Sequence, residues 1–103
     1  MRGSKLYKAP VEELFMEGKF EVRVKVISQN GRCSVGHKVG DEWLTSGKTP
    51  EGICLNAFGM LLPNVRTLMF GGAFPWELDK DCTTICCPDA NNPVVFEVHR
   101  IRK

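Results

Sequence analysis

No stretch of this chain approaches 18 consecutive apolar residues, so the sequence offers no membrane-spanning helix. The first 17 residues hold Lys5, Lys8, Glu12, Glu13 and Glu17 and lack the apolar run of an export signal. Repeats, linkers and low-complexity segments are missing too. Neither sign of charge dominates: 14 Lys and Arg against 12 Asp and Glu leave a net +2. The basic footprint is small and carries no aromatic–basic interleaving, which argues against nucleic acid as a partner. Gly71-Gly72 has no phosphate-loop lysine beside it and reads as a turn.

What remains is 103 residues with 43% apolar and 25% charged side chains, the profile of one soluble globular domain. Cysteine stands out. Five is more than packing needs and fewer than a disulfide scaffold carries. The odd number argues against a fully paired secreted domain. The expectation is a reducing, cytoplasmic setting in which cysteines are free thiols, metal ligands or catalysts.

Pro10 to Met16 reads as a short helix, with Pro10 at its first position, Glu12 and Glu13 at its positive end and Gly18 at its stop. Leu14 and Phe15 would dock it on the core. Residues 1–18 are thus an N-terminal extension, and 19–103 a single α+β domain.

Lys19 to Val26 alternates without error. Phe20, Val22, Val24 and Val26 share one face, and Lys19, Glu21, Arg23 and Lys25 the other. That is a half-buried strand of an antiparallel sheet. Gln29-Asn30-Gly31 ends it. Lys38 to Thr45 predicts a second strand, bent at Gly40-Asp41. Thr49-Pro50-Glu51 looks like a helix start, and Pro63 like its stop. Val65 to Phe70 is helix or strand. Cys82 to Cys87 is extended or irregular, and Asp89 caps the turn through Asn92-Pro93. Val94 to Ile101 closes the chain as a strand, and the basic His99-to-Lys103 tail reads as solvated. The fold class is α+β: a small antiparallel sheet or partial β-barrel with one or two short helices between the strands.

The chemistry lies in the sulfur. Cys33 and His37 share one Gly-bounded loop, a spacing that chelates at little entropic cost. Cys54 falls in the first turn of the expected helix, where amides and dipole favour a thiolate. Cys86 and Cys87 are adjacent, so in an extended segment they point to opposite faces. Cys33, His37, Cys54 and one of Cys86 and Cys87 make a Cys3His set that suits zinc, iron or an iron–sulfur cluster. The spacing is not that of a zinc finger or ribbon. Cys82 is a bystander, and His99 lies on the polar face of its strand. Against all this stands plain packing, since cysteine also behaves as a small buried hydrophobe.

Several blocks then form a recognisable order. They are Val24-Lys25-Val26 followed by Gly31-Arg32-Cys33-Ser34-Val35-Gly36-His37-Lys38-Val39-Gly40-Asp41-Glu42-Trp43, then Gly47-Lys48-Thr49-Pro50-Glu51-Gly52-Ile53-Cys54, Gly71-Gly72-Ala73-Phe74-Pro75-Trp76, and Cys86-Cys87-Pro88-Asp89 with Asn92-Pro93-Val94-Val95-Phe96-Glu97. The chain resembles a small uncharacterised family of prokaryotic proteins, frequent in anaerobes, over roughly Phe20 to Ile101. The resemblance groups Cys33, His37, Cys54, Cys86 and Cys87 and leaves Cys82 outside. It implies no reaction; it favours thiolate-rich metal or redox work.

Three expectations follow. The first is a metal-binding protein with a structural or electron-transfer role. The second is a thiol-dependent redox enzyme with Cys54 as nucleophile and His37 as base. The third is a metal-free homo-oligomeric module that uses Phe74-Pro75-Trp76 as a contact.

Overall fold

The computed structural model describes residues 19–102, so the expected helix from Pro10 to Met16 lies outside the described residues. Four strands and one helix follow in the order β1 (Glu21–Gln29), β2 (Glu42–Thr45), α1 (Leu55–Met69), β3 (Cys82–Cys86) and β4 (Val94–Ile101). The sheet is open, with strand order β2-β1-β4-β3 and every neighbouring pair antiparallel. The class is α+β, as the alternating strands predict.

The period-2 pattern dictates which face is covered. Val22, Val24 and Val26 of β1 and Val94, Phe96 and Val98 of β4 all point at α1 and are buried. From the helix come Ala57, Leu61, Val65, Leu68 and Met69, spaced by four, four, three and one. These eleven residues are the core among the described residues.

Four expectations need correction. Pro63 does not end the helix, and Val65 to Phe70 mostly continues it. A proline ring clashes with the carbonyl four residues back and removes one amide bond. Here that carbonyl belongs to Gly59, and both residues are exposed, so water can satisfy the oxygen that Pro63 leaves without an amide. Core contacts on both sides of Pro63 hold the helix through it. Nor does the helix start at Thr49-Pro50. Gly52 has φ +86°, which interrupts any helical run, and the N-cap is Cys54. The second strand is only four residues long. Lys38 to Asp41 closes as a turn, with Asp41 N–H on the Lys38 carbonyl and Lys38 N–H on the Asp41 carboxylate.

The basic tail is the fourth correction. Arg100 follows Val94, Phe96 and Val98 on the covered face and is 2% exposed. Its guanidinium donates to the carbonyls of Leu68 (3.0 Å), Gly72 (2.8 Å) and Lys80 (2.8 Å) and to Asp81. Phe20 lies under it at 5.2 Å. The cation therefore caps the negative end of α1 and ties three segments together.

Arg102, the main cause, together with Arg100 holds the Asp81 carboxyl down from 3.8 to about 2. Its folded value lies below its unfolded one. Its stabilising contribution is therefore complete above about pH 4 and is lost as pH falls towards 2. In chemical denaturation at pH 5, 3 and 2, Asp81→Asn is expected to flatten that acid loss. An identical acid profile for the variant would refute the assignment.

Candidate thiol site

Three segments meet at the head of α1. Residues 30–41 form the β1–β2 loop, 52–54 lead into the helix, and 87–93 form the β3–β4 turn. Gly31 makes the first two-way contact possible. Its φ is +73°, and a Cβ there would lie 2.4 Å from Asn92 Oδ1. The close approach lets Arg32 N–H donate to that same oxygen at 2.7 Å, and Asn30 N–H to the Pro93 carbonyl. Asp89 in turn accepts from the amides of Asn91 (3.1 Å) and Asn92 (3.2 Å), as its turn position predicts. The two loops are thereby fixed to each other.

His37 fixes the first loop to the helix. Its ring is 7% exposed and packs edge-on against Trp43 (5.1 Å between centroids) and Phe96 (6.2 Å). Nε2 accepts the backbone N–H of Cys54 at 3.0 Å. A backbone amide only donates, so Nε2 carries the lone pair and the neutral ring holds its proton on Nδ1.

Cys54 is the N-cap of α1. Its carbonyl takes the Phe58 amide at 2.9 Å, no side chain caps the helix, and the first turn contains no acid. The positive end of the helix is therefore uncompensated, a setting that favours an anion. Cys87 follows β3 directly. Its N–H donates to the Val94 carbonyl, and its sulfur accepts the Val94 amide at 3.2 Å.

Cys33, His37, Cys54 and Cys87 all line one cleft of about 100 Å³, whose further walls include Asn92 and Phe96. Cys86 does not join them. It is exposed. Cys86 alternates with Thr83 and Ile85 onto the exposed side of β3, while its thiol stays within side-chain hydrogen-bond reach of Cys87, which lies just past the strand. All five cysteines are free thiols. Among the described residues, no three His, Cys, Asp or Glu side chains stand close enough together to hold a metal ion as they are.

The remaining thiols are chemically muted. Burial first, then the charges of Glu97, Asp79 and Glu77, push Cys82 up to about 11. Cys86, though exposed overall, is pushed up as well, first by partial desolvation of its sulfur against the sheet and then by the charge and the side-chain hydrogen bond of Cys87. The shift from 9.0 to about 11 lowers the thiolate fraction of Cys82 at pH 8 by about a hundredfold. Mass-spectrometric mapping of timed alkylation is expected to find Cys82 the slowest of the five. Labelling of Cys82 as fast as a free thiol would contradict this.

Sequence reasoning finds the sulfurs but misses the partners that place them. Asn92 and Gly31 carry the loop-to-loop contact, and their only trace in sequence is ordinary turn composition. The bond between His37 and the Cys54 amide spans 17 residues and has no local signature.

Comparison with family models, curated proteins and solved structures returns no match. Among the described residues no helix is long and apolar enough to cross a membrane.

Proposed function

We propose that this chain captures one thiophilic metal ion at the head of α1 through the thiolates of Cys33, Cys54 and Cys87. One observation carries the reading: three thiols from three separate segments line a single small cleft. Two of the three ride on loops, so ion capture would draw the loops inward and couple binding to local folding. His37 serves as a positioning residue. As a ligand through Nε2 it would lose its bond to Cys54. As a ligand through Nδ1 it would carry a proton on Nε2 and set two donors against each other. Zinc in the cleft would lock the loops to the sheet. Iron, or an iron–sulfur cluster, would add electron transfer. A reducing cytoplasm suits such a site, and the resemblance to the anaerobe family rests on the same residues.

Cobalt(II) titration of the reduced full chain tests the reading. Sulfur-to-cobalt charge-transfer absorption should saturate at about one equivalent. His37→Ala should weaken binding about 10–100-fold, while His37→Gln, whose oxygen can accept the same amide, should lose less. Absence of the charge-transfer band would remove the proposal.

A second reading is favoured by the same helix head and by the spacing of the donors as they stand. Cys54 would attack a substrate disulfide, and Cys33 or Cys87 would resolve the mixed disulfide. No cobalt uptake, together with a Cys54 disulfide formed under mild oxidation, would favour it.

A further inference from the structure

Two surfaces away from the thiol cleft lack an explanation. The first is the segment 72–81, a loop held far more firmly than loops require. The ammonium of Lys80 donates to the carbonyls of Phe74 (3.2 Å), Pro75 (3.5 Å) and Glu77 (2.5 Å). Arg100 holds the carbonyls of Gly72 and Lys80, and Thr83 Oγ1 donates to Glu77 at 2.7 Å. Phe74 stacks on Trp76 at 5.2 Å. Yet the loop presents Trp76 at 70% exposure and Leu78 fully bare. A pre-organised loop tipped with Trp loses little entropy on binding, and Trp is the residue most enriched at binding hot spots. Lys80 and Asp81 are consumed internally. The charge at the tip is therefore acidic, from Glu77, one oxygen of which accepts Thr83, and from Asp79, which accepts the Asp81 amide at 2.9 Å and stands 3.9 Å from His99 Nε2 yet remains 63% exposed.

The second surface is a cleft of about 300 Å³ between α1 and the β2–α1 loop. Phe58, Leu62 and Val65 form its floor, and Lys19, Lys48 and Arg66 stand around it. None of these three cations makes an ion pair among the described residues. The Lys19 ammonium lies over Gly47, where a Cβ would come within 3.0 Å of it.

We infer that these surfaces dock on each other between two copies of this chain: Trp76 and Leu78 of one copy enter the Phe58–Leu62 cleft of the other, with Asp79 and Glu77 facing its Arg66, Lys48 and Lys19. An apolar acidic wedge and an apolar basic cleft are complementary in both respects. The exposure of Trp76 shows that it does not fill the cleft of its own chain. Made twice about a two-fold axis, the contact closes as a dimer. An indole buries about 150–250 Å², so even the doubled contact is below a standard interface and the dimer is weak.

Sedimentation equilibrium of the full chain from about 10 µM to 1 mM at low salt tests this. The average mass should rise towards the dimer. Trp76→Ala, Arg66→Glu and Asp79→Arg should each raise Kd tenfold or more. An equimolar mixture of Arg66→Glu with Asp79→Arg should recover affinity to within about threefold of the wild type, because one contact is then charge-swapped and the other native. Recovery in the mixture also shows that neither variant is merely misfolded. A wild type that stays monomeric at 1 mM overturns the inference, whatever else the cleft binds. So does a mixture no tighter than its parts.

Discussion

Arg100→Met is expected to cost about 3–5 kcal/mol of stability. Methionine keeps the apolar stem in its slot but removes every donor. The carbonyl of Leu68 then loses its partner in a buried position, and those of Gly72 and Lys80 in partly buried ones. Each buried acceptor left unsatisfied costs about 1–3 kcal/mol. Asp81 is a smaller part of the loss, because Arg102 still grips both of its oxygens and the carboxylate is partly solvated. Arg100→Lys should fall between the two, since an ammonium reaches some of the carbonyls but lacks the planar fork. Urea denaturation reads the result through the midpoint at constant slope. A loss below about 1 kcal/mol for Arg100→Met would mean that the carbonyls find other partners and that the cation does not organise the end of α1.

The second large effect concerns Cys54. Cys54→Ser is expected to reduce metal affinity by about a hundredfold or more while leaving the fold intact. Serine is nearly isosteric and caps a helix better than cysteine, so the helix head is preserved or strengthened. What disappears is the soft, anionic donor that zinc and iron prefer. Cys33→Ser and Cys87→Ser should show losses of the same order. Cys82→Ser should bind as the wild type does, and Cys86→Ser should lose far less than Cys87→Ser, because neither sulfur lines the cleft. The contrast between Cys87 and Cys86 is the sharpest part of this prediction. The two are neighbours in sequence, and only Cys87 lines the cleft.

Strands β1 and β4 are legible because each is long enough to show a period, with Val22, Val24 and Val26 on the buried positions of β1, whereas β2 and β3 are too short to fix their limits. The helix was legible as a face but not in its limits. Pro63 and the Thr49-Pro50 pair carry strong local signals, and tertiary burial overrode the first while Gly52 annulled the second. Arg100 was unreadable for a similar reason. Its position on the strand predicts the covered face and its charge predicts the solvent, and only the carbonyls of distant segments decide between them. For the thiols, the alternation of Cys86 with Thr83 and Ile85 follows from extended geometry. Which of Cys86 and Cys87 lines the cleft depends on sheet order. The pairing of Asn92 with the Gly31–Arg32 backbone and of His37 with Cys54 depends on loops meeting in space, for which one sequence holds no periodic cue.

The metal content of the anaerobically purified full chain tests the central claim most directly. About one zinc or iron per chain is expected, falling below about a tenth of an equivalent in Cys54→Ser. A wild type below about a tenth of an equivalent, with no uptake on reconstitution with zinc or iron, would contradict it.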